Sequence, residues 1–121
     1  MTIVLCGQVR GGKNNMRVTR TGRHYPTPLF AAWRKDMALQ IHAQLVHTHR
    51  KPWTVPVKLK IDYWPGDRKT RDVPALLDAL FHLLVYCGVL QDDGLVRDVL
   101  FYNNGVNVKF PKVVMELTIA G

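Results

Sequence analysis

The feature that most limits how this chain can fold is an apolar run in its second half, LLDALFHLLV, at residues 76 to 85. The run lies in a predicted helix over residues 73 to 87. Asp72 suits the N-cap of this helix, and Gly88 suits its end because glycine adopts the positive φ of the C′ position. Apolar side chains cover nearly every side of the helix rather than one stripe. We therefore expect it to be buried between layers or at an interface between subunits.

The rest of the chain predicts a single α+β domain over residues 1–121. Residues 55 to 64 alternate between inward apolar and outward polar side chains, which predicts a half-buried strand that begins its inward face at Val55. The last strand is expected to end its inward face at Ile119. The predicted order is strand (2–9), hairpin (16–26, turning at Thr21-Gly22), helix (from the Thr27-Pro28 cap to about His47), strand (55–64), helix (73–87) and two strands (95–103 and 112–120). The expected fold is a two-layer domain in which two helices pack on a mixed β-sheet.

The charge of the chain is distributed unevenly. The net charge is +8 and the pI is near 9.9, yet no acidic residue precedes Asp36. The basic residues before it are Arg10, Lys13, Arg17, Arg20, Arg23, Arg34 and Lys35. This distribution favours a nucleic-acid or other anionic partner over a soluble basic domain without one. We expect the arm from Arg10 to Arg23 and the PGDRKTR loop at residues 65 to 71 to contact phosphates.

Cysteine use and hydropathy favour a cytoplasmic protein. Cys6 and Cys87 have no metal-ligand spacing, and each lies in an apolar run, so both are predicted to be reduced core residues. No stretch approaches the ~20 apolar residues of a membrane helix. The first residues lack a basic region before their apolar run, so we do not expect a signal peptide.

The acidic residues are concentrated around the apolar helix. The chain has nine Asp and Glu, and six of them fall between positions 67 and 98. A role as the N-cap of the helix would by itself explain an aspartate at position 72. Asp93 follows 21 residues later, beyond a helix about 22 Å long, so the two carboxylates meet only if the chain doubles back. Spacing alone leaves a shared site undecided.

Asp78 and His82 share one face of the same helix. A carboxylate on an apolar helix costs free energy unless it is paired. We favour an Asp78–His82 pair over the alternative, in which Asp78 binds a metal and His82 supports it.

Clustered acids within a basic surface would suit phosphodiester cleavage. Mg²⁺ binds carboxylate oxygens, activates water and stabilises charge on a phosphate. A nuclease therefore needs two or more acids close together on a surface that neutralises DNA.

Two stretches carry a family resemblance: GGKNNMRVTRTGRHYPTPLFAAWRKDM at residues 11 to 37, and RDVPALLDALFHLL followed by GVLQDDGLV between residues 71 and 96. Their order and spacing resemble those of the RusA-type Holliday-junction resolvases, and the similarity covers most of the chain. The resemblance implies a homodimeric, Mg²⁺-dependent endonuclease (Mn²⁺ as a substitute) that cuts four-way junctions and related branched DNA in recombination and repair.

The resemblance also implies which residues form the site. Asp72 matches the first aspartate of the family's D-x-D-N-x-x-K pattern, and Asp92 and Asp93 match its D-D pair, with Asp93 the ligand of that pair. The resemblance thus implies a metal site formed by Asp72, Asp93 and Asp92. The fold is then expected to bring Asp72 and Asp93 together. The set expected to contact DNA, from the resemblance and the charge pattern together, is Lys13, Asn14, Asn15, Arg17, Arg20, Arg23, Arg68, Lys69 and Arg71.

This chain departs from the family pattern at four positions. Pro74 stands for the second aspartate, Ala75 for the asparagine, Asp78 for the lysine and His82 for a later aspartate. Asp78 is therefore a further candidate catalytic residue that could replace the missing carboxylate, and Lys69, Arg71 or Lys13 could replace the missing cation. The alternative is a protein that binds branched DNA and cuts it weakly or not at all. A basic RNA-binding module is disfavoured because no RNP- or KH-like motif is present.

Overall fold

The computed structural model describes residues 1–11, 16–48, 51–69 and 71–120. The described elements are β1 (Thr2–Cys6), β2 (Met16–Val18), β3 (His24–Pro26), α1 (Pro28–Leu45), β4 (Val57–Trp64), α2 (Val73–Tyr86), a 3₁₀ turn (Asp93–Leu95), β5 (Val96–Asn103) and β6 (Lys112–Ile119). A mixed sheet with two helices confirms the predicted α+β class. The hairpin is also confirmed, because β2 pairs antiparallel with β3.

The main sheet has the strand order β1-β6-β4-β5. β4 and β5 are parallel, whereas β6 is antiparallel to both β4 and β1. α2 is the crossover between the two parallel strands. A crossover helix runs back along the sheet, so α2 begins near the carboxyl ends of β4 and β5 and ends near their amino ends. The two ends of α2 therefore lie at opposite edges of the domain.

The core lies between the inward face of the sheet and the two helices. β4 alternates as predicted, with Val57, Leu59, Ile61 and Tyr63 at most 3% exposed. Inward residues of β1 and β6 join them, together with residues of α1 and α2, in one continuous cluster. The period-2 pattern of the sequence therefore identified the buried face of the sheet correctly.

Three residues expected in the core are exposed instead. Val55 is 43% exposed because β4 begins two residues later. Ile119, the last residue of β6, is 68% exposed. Cys6 is exposed because it alternates with the buried Leu5 on β1. The pattern located the strands, but it overextended the core at Val55 and Ile119 and missed that Cys6 lies on the outward face of β1.

α1 begins at the predicted cap, where the Thr27 hydroxyl accepts the Phe30 N–H at 3.3 Å. Along its length α1 closes the free edge of β1. The side-chain amide of Gln44 pairs with both backbone groups of Val4, and that of Gln40 pairs with both backbone groups of Cys6, at 2.6–3.0 Å. The two glutamines replace a neighbouring strand, which protects an edge open to pairing with another chain.

α2 is apolar on most sides, as predicted, and five of its residues are buried: Leu76, Ala79, Leu80, Leu83 and Leu84. Gly88 follows with φ +73, which confirms the predicted end of the helix. A second stripe stays partly exposed, with Val73 at 39% and Val85 at 36%. In the described part of the chain, no helix is both long and apolar enough to cross a membrane.

Candidate functional site

A cavity of about 450 Å³ lies where the carboxyl ends of β4 and β5 face the first turn of α2. We call it the α2 pocket. Its lining residues are Tyr63, Pro65, Asp67, Arg68, Lys69, Arg71, Val73, Leu76, Phe101, Asn103, Gly105 and Val106. The carboxyl ends of parallel strands are a preferred place for ligand sites. The loop after β4 carries three cations that were expected to contact DNA, and all three line this pocket: Arg68, Lys69 and Arg71.

One ion pair shapes the loop that carries those cations. Arg71 donates to both carboxylate oxygens of Asp67, at 2.7 and 2.9 Å, and Asp67 also accepts the Lys69 N–H at 3.0 Å. The hydrogen bonds from Arg71 and from that N–H lower the pKa of Asp67 to about 2. Arg71 is thus engaged within the protein, whereas Arg68 and Lys69 are exposed beside it.

Gln8 ties the other side of the loop to β4. Its Nε2 donates to the Tyr63 hydroxyl at 2.7 Å, and its Oε1 accepts the Gly66 N–H at 2.6 Å. The carbonyl of Gln8 accepts the indole N–H of Trp33 at 3.0 Å, which fixes Gln8 against α1. Burial raises the pKa of Tyr63, while the bond from Gln8 opposes the shift. Sequence reasoning missed Gln8, although a buried Tyr63 hydroxyl required some partner.

The basic arm is the β2–β3 hairpin, in which every residue from 16 to 25 is exposed. Its turn is held by the Thr19 hydroxyl and carbonyl, which accept the Arg23 and Gly22 N–H groups. Arg17, Arg20 and Arg23 make no ion pair within the described residues. Their charge is therefore available to an anionic partner.

Three further residues expected to contact DNA, Lys13, Asn14 and Asn15, lie outside the described residues. Gly11 is described, and it packs on the first turn of α2. A Cβ added at Gly11 would lie 2.9 Å from a Leu76 methyl group and 3.0 Å from the Leu76 nitrogen. Only glycine allows this close approach of two backbones.

Asp72 occupies the predicted N-cap position, but its side chain makes no capping hydrogen bond and is exposed. A cap carboxylate accepts from the second or third residue of the helix. The second residue here is Pro74, which has no N–H, so one of the two usual donors is missing. The capping explanation of Asp72 is thus wrong for its side chain, and the carboxylate stays free of the helix.

Asp78 and His82 do not form the expected pair. His82 Nε2 instead lies 3.2 Å from an Arg34 guanidinium nitrogen, and Asp78 is exposed without a hydrogen bond or ion pair in the part of the chain described. Burial, and then the charge of Arg34, lower the pKa of His82. The neutral ring accepts from Arg34 and stacks on Tyr86, with ring centroids 6.1 Å apart. His82 therefore belongs to a contact between α1 and α2.

Asp92 and Asp93 lie at the other end of α2. Asp92 caps the 3₁₀ turn by accepting the Gly94 N–H at 3.3 Å, and Asp93 opens that turn. α2 has 14 residues, so about 21 Å of helix separates its two ends. Within one chain, Asp72 and Asp93 are therefore not brought together. The described residues contain no group of three or more potential metal ligands.

No protein-family model matches the chain, and no curated protein matches it either. The resemblance to RusA-type resolvases therefore depends on the residue patterns given above. The function that it implies stays a prediction.

Proposed function

We propose that the protein binds branched DNA as a homodimer and cuts it with Mg²⁺, with Mn²⁺ as a substitute. One observation carries the proposal. Asp72 is an exposed carboxylate with no role in capping, and it directly follows a loop whose cations line the α2 pocket. A metal ligand beside groups that hold phosphate is the arrangement that phosphodiester hydrolysis requires.

The phosphate contacts come from two surfaces. Arg68 and Lys69 are exposed at the α2 pocket, and Arg17, Arg20 and Arg23 are exposed on the basic arm. Gly11 leads from β1 toward the arm and packs on the first turn of α2. The arm begins five residues after Gly11, and we propose that a single nucleic acid contacts both surfaces.

A shared metal ion needs a second copy of the chain. Asp72 and Asp93 lie at opposite ends of α2, so neither end holds both carboxylates. A two-fold axis perpendicular to the middle of α2 would place two copies of the helix antiparallel. Asp72 of each copy would then lie near Asp92 and Asp93 of the other, giving two equivalent sites.

The outer stripe of α2 supports this pairing. Val73, Leu77, Phe81 and Val85 recur every four residues, so they lie on one side of the helix. Val73 and Val85 are more than a third exposed, and Leu77 and Phe81 are only partly buried. Burying this stripe against its copy would stabilise a dimer through the hydrophobic effect.

A second candidate function is binding of branched DNA without cleavage. It is favoured by the position of Asp78, which lies six residues after Asp72 and so about 9 Å farther along the helix axis. Within one chain, Asp78 cannot ligate the same ion as Asp72. The site then has one carboxylate fewer than the family pattern, because Pro74 supplies none.

A synthetic four-way junction separates the two candidates. We expect the protein to bind the junction more tightly than linear duplex of the same length, and to cut it with Mg²⁺ but not with EDTA. Junction binding without cleavage in Mg²⁺ or Mn²⁺ would exclude the nuclease and support the second candidate, binding without cleavage. Absence of junction binding at low salt would exclude both candidate functions.

A further inference from the structure

The Gln8 side chain fixes how the Tyr63 hydroxyl can donate. Gln8 Oε1 accepts the Gly66 N–H, so turning the amide over would bring two N–H groups face to face. In the observed orientation Gln8 Nε2 donates to the phenol oxygen. The Tyr63 oxygen is thus the acceptor of that bond, and its own O–H has no acceptor among the residues that the structure describes. Tyr63 is 3% exposed, yet it lines the α2 pocket.

The α2 pocket is lined by both charged and apolar side chains. Asp67 and Arg71 neutralise each other, which leaves the positive charges of Arg68 and Lys69 at the rim. The apolar residues that line the pocket, which we call the apolar wall, are Val73, Leu76, Phe101 and Val106. A volume of about 450 Å³ falls within the ~300–1,000 Å³ of small-molecule sites and exceeds what a lone phosphate fills. The ligand that suits it has an anionic group and a flat apolar group.

We infer that the α2 pocket receives one unpaired nucleotide of a DNA strand. The phosphate lies against the two rim cations and accepts the Tyr63 O–H, and the base lies against the apolar wall. The nucleotide must be unpaired because a base that enters a protein pocket has left its stack and its pairing partner. The inference rests on the proposed function for the source of the nucleotide, and it assigns to the pocket the recognition of unpaired nucleotides at a branch point.

Thymidine 5′-monophosphate is a direct probe of the pocket. We expect it to bind the full chain more tightly than thymidine or inorganic phosphate does, because it alone contacts both the rim cations and the apolar wall. Amide shifts in NMR should centre on Gly66 and the loop that follows. Shifts confined to the basic arm, or equal affinity for the nucleotide and inorganic phosphate, would overturn the inference.

The Tyr63→Phe variant tests the hydroxyl. A hydrogen bond to a charged group accounts for roughly ten- to a hundredfold in affinity, so thymidine 5′-monophosphate should bind more weakly by that factor. Thymidine binding should be unchanged. The matched control is Tyr102→Phe, since Tyr102 is 46% exposed and is not among the residues that line the pocket. Unchanged nucleotide affinity in a folded Tyr63→Phe protein would overturn the role of Tyr63.

The Gln8→Glu variant is a second test, needed if Tyr63→Phe changes the conformation of the loop that Gln8 holds. A glutamate at this position accepts both the Gly66 N–H and the Tyr63 O–H, so the loop stays anchored while the hydroxyl turns away from the pocket. We expect weaker binding of thymidine 5′-monophosphate, with unchanged amide shifts of the free loop beyond Gly66. Unchanged nucleotide affinity in Gln8→Glu would contradict the inference.

The pocket and the proposed function fail separately. If the nucleotide binds in a Tyr63-dependent way but no junction is bound or cut, the proposed function fails and the pocket stands. If junctions are cut and Tyr63→Phe leaves both nucleotide affinity and junction affinity unchanged, the pocket inference alone fails.

Discussion

The two ends of α2 differ in how completely the chain closes them. At the carboxyl end, Val89 and Leu90 are buried and donate backbone hydrogen bonds to the Leu84 carbonyl. Trp53 bridges the same turn through two further backbone bonds, to Val89 and Gln91. At the amino end, the Asp72 side chain makes no cap bond, and charged residues line a cavity. Buried apolar residues and backbone hydrogen bonds close the carboxyl end, whereas the amino end opens onto a cavity lined by charged residues.

The largest expected effect is the loss of stability on truncation at the closed end. Leu84 is fully buried, so Leu84→Ala should lower the free energy of unfolding by about 2–5 kcal/mol. Val106→Ala at the open end should cost less than about 1 kcal/mol, because Val106 is 41% exposed. Urea denaturation of both variants, with unchanged slope, measures the difference. Equal losses of unfolding free energy in the two variants would contradict the difference between the closed and the open end of α2.

The next effect concerns the acids at the two ends. We expect Asp72→Asn and Asp93→Asn each to reduce junction cleavage at least about a hundredfold, because each would remove a ligand of the proposed metal site. DNA binding should be kept or tightened, since each change removes a negative charge. Asp98→Asn, in the same acidic stretch but on the exposed face of β5, is the matched control. Full cleavage by either Asp72→Asn or Asp93→Asn would exclude that residue as a ligand.

The basic arm should affect DNA affinity without changing selectivity between sequences. Removing Arg20 and Arg23 together should lower the log–log salt slope of binding by about 2, at ~0.9 for each phosphate contact. The loss should be similar for every DNA tested, because phosphate contacts carry no sequence information. Replacing the exposed Lys51 and Lys58 by alanine controls for net charge. The same slope in both double variants would show that the arm does not contact phosphate.

The smallest effect is the response to acid of two contacts, the Asp67–Arg71 pair in the loop before α2 and the His82 contact between α1 and α2. The pKa of Asp67 is lowered to about 2, so its contribution to stability is present above its usual pKa of 3.8 and is lost as the pH falls toward 2. The pKa of His82 is lowered from 6.5, so its contribution is lost as the pH falls below that value. Asp67→Asn should remove the pH dependence of stability only between about pH 3.8 and 2, and His82→Asn only the dependence that begins below pH 6.5. Thermal unfolding across pH 2–8 tests the two pH ranges, and a variant that removes the dependence in both would contradict this assignment.

Local signals predicted the elements of this fold, whereas the contacts around the pocket depend on residues far apart in the chain. Thr27-Pro28 and Gly88 marked helix boundaries because capping and positive φ are properties of single positions. The Gln8–Tyr63 and Arg34–His82 contacts join residues 55 and 48 positions apart. No local pattern specifies such pairs.

The separation of Asp72 from Asp93 was not predictable from the sequence for a related reason. The pattern located a helix between them, but only the parallel pairing of β4 with β5 places its ends at opposite edges. Pro74 alone did not predict the missing cap bond of Asp72 either, because the Ala75 N–H remained as a donor. Proline removes one of the donors on which a capping side chain depends.

Subunit mixing tests most directly whether the two ends of α2 complete one site across a dimer. Asp72→Asn and Asp93→Asn proteins, each inactive alone, are exchanged in equal amounts, and about half of the resulting dimers are mixed. If each site takes Asp72 from one subunit and Asp93 from the other, every mixed dimer keeps one intact site, and junction cleavage returns as single-strand nicking. Mixing either protein with the Asp72→Asn/Asp93→Asn double variant should restore nothing. A mixture that stays inactive, while wild-type protein cuts and subunits demonstrably exchange, would contradict the shared site.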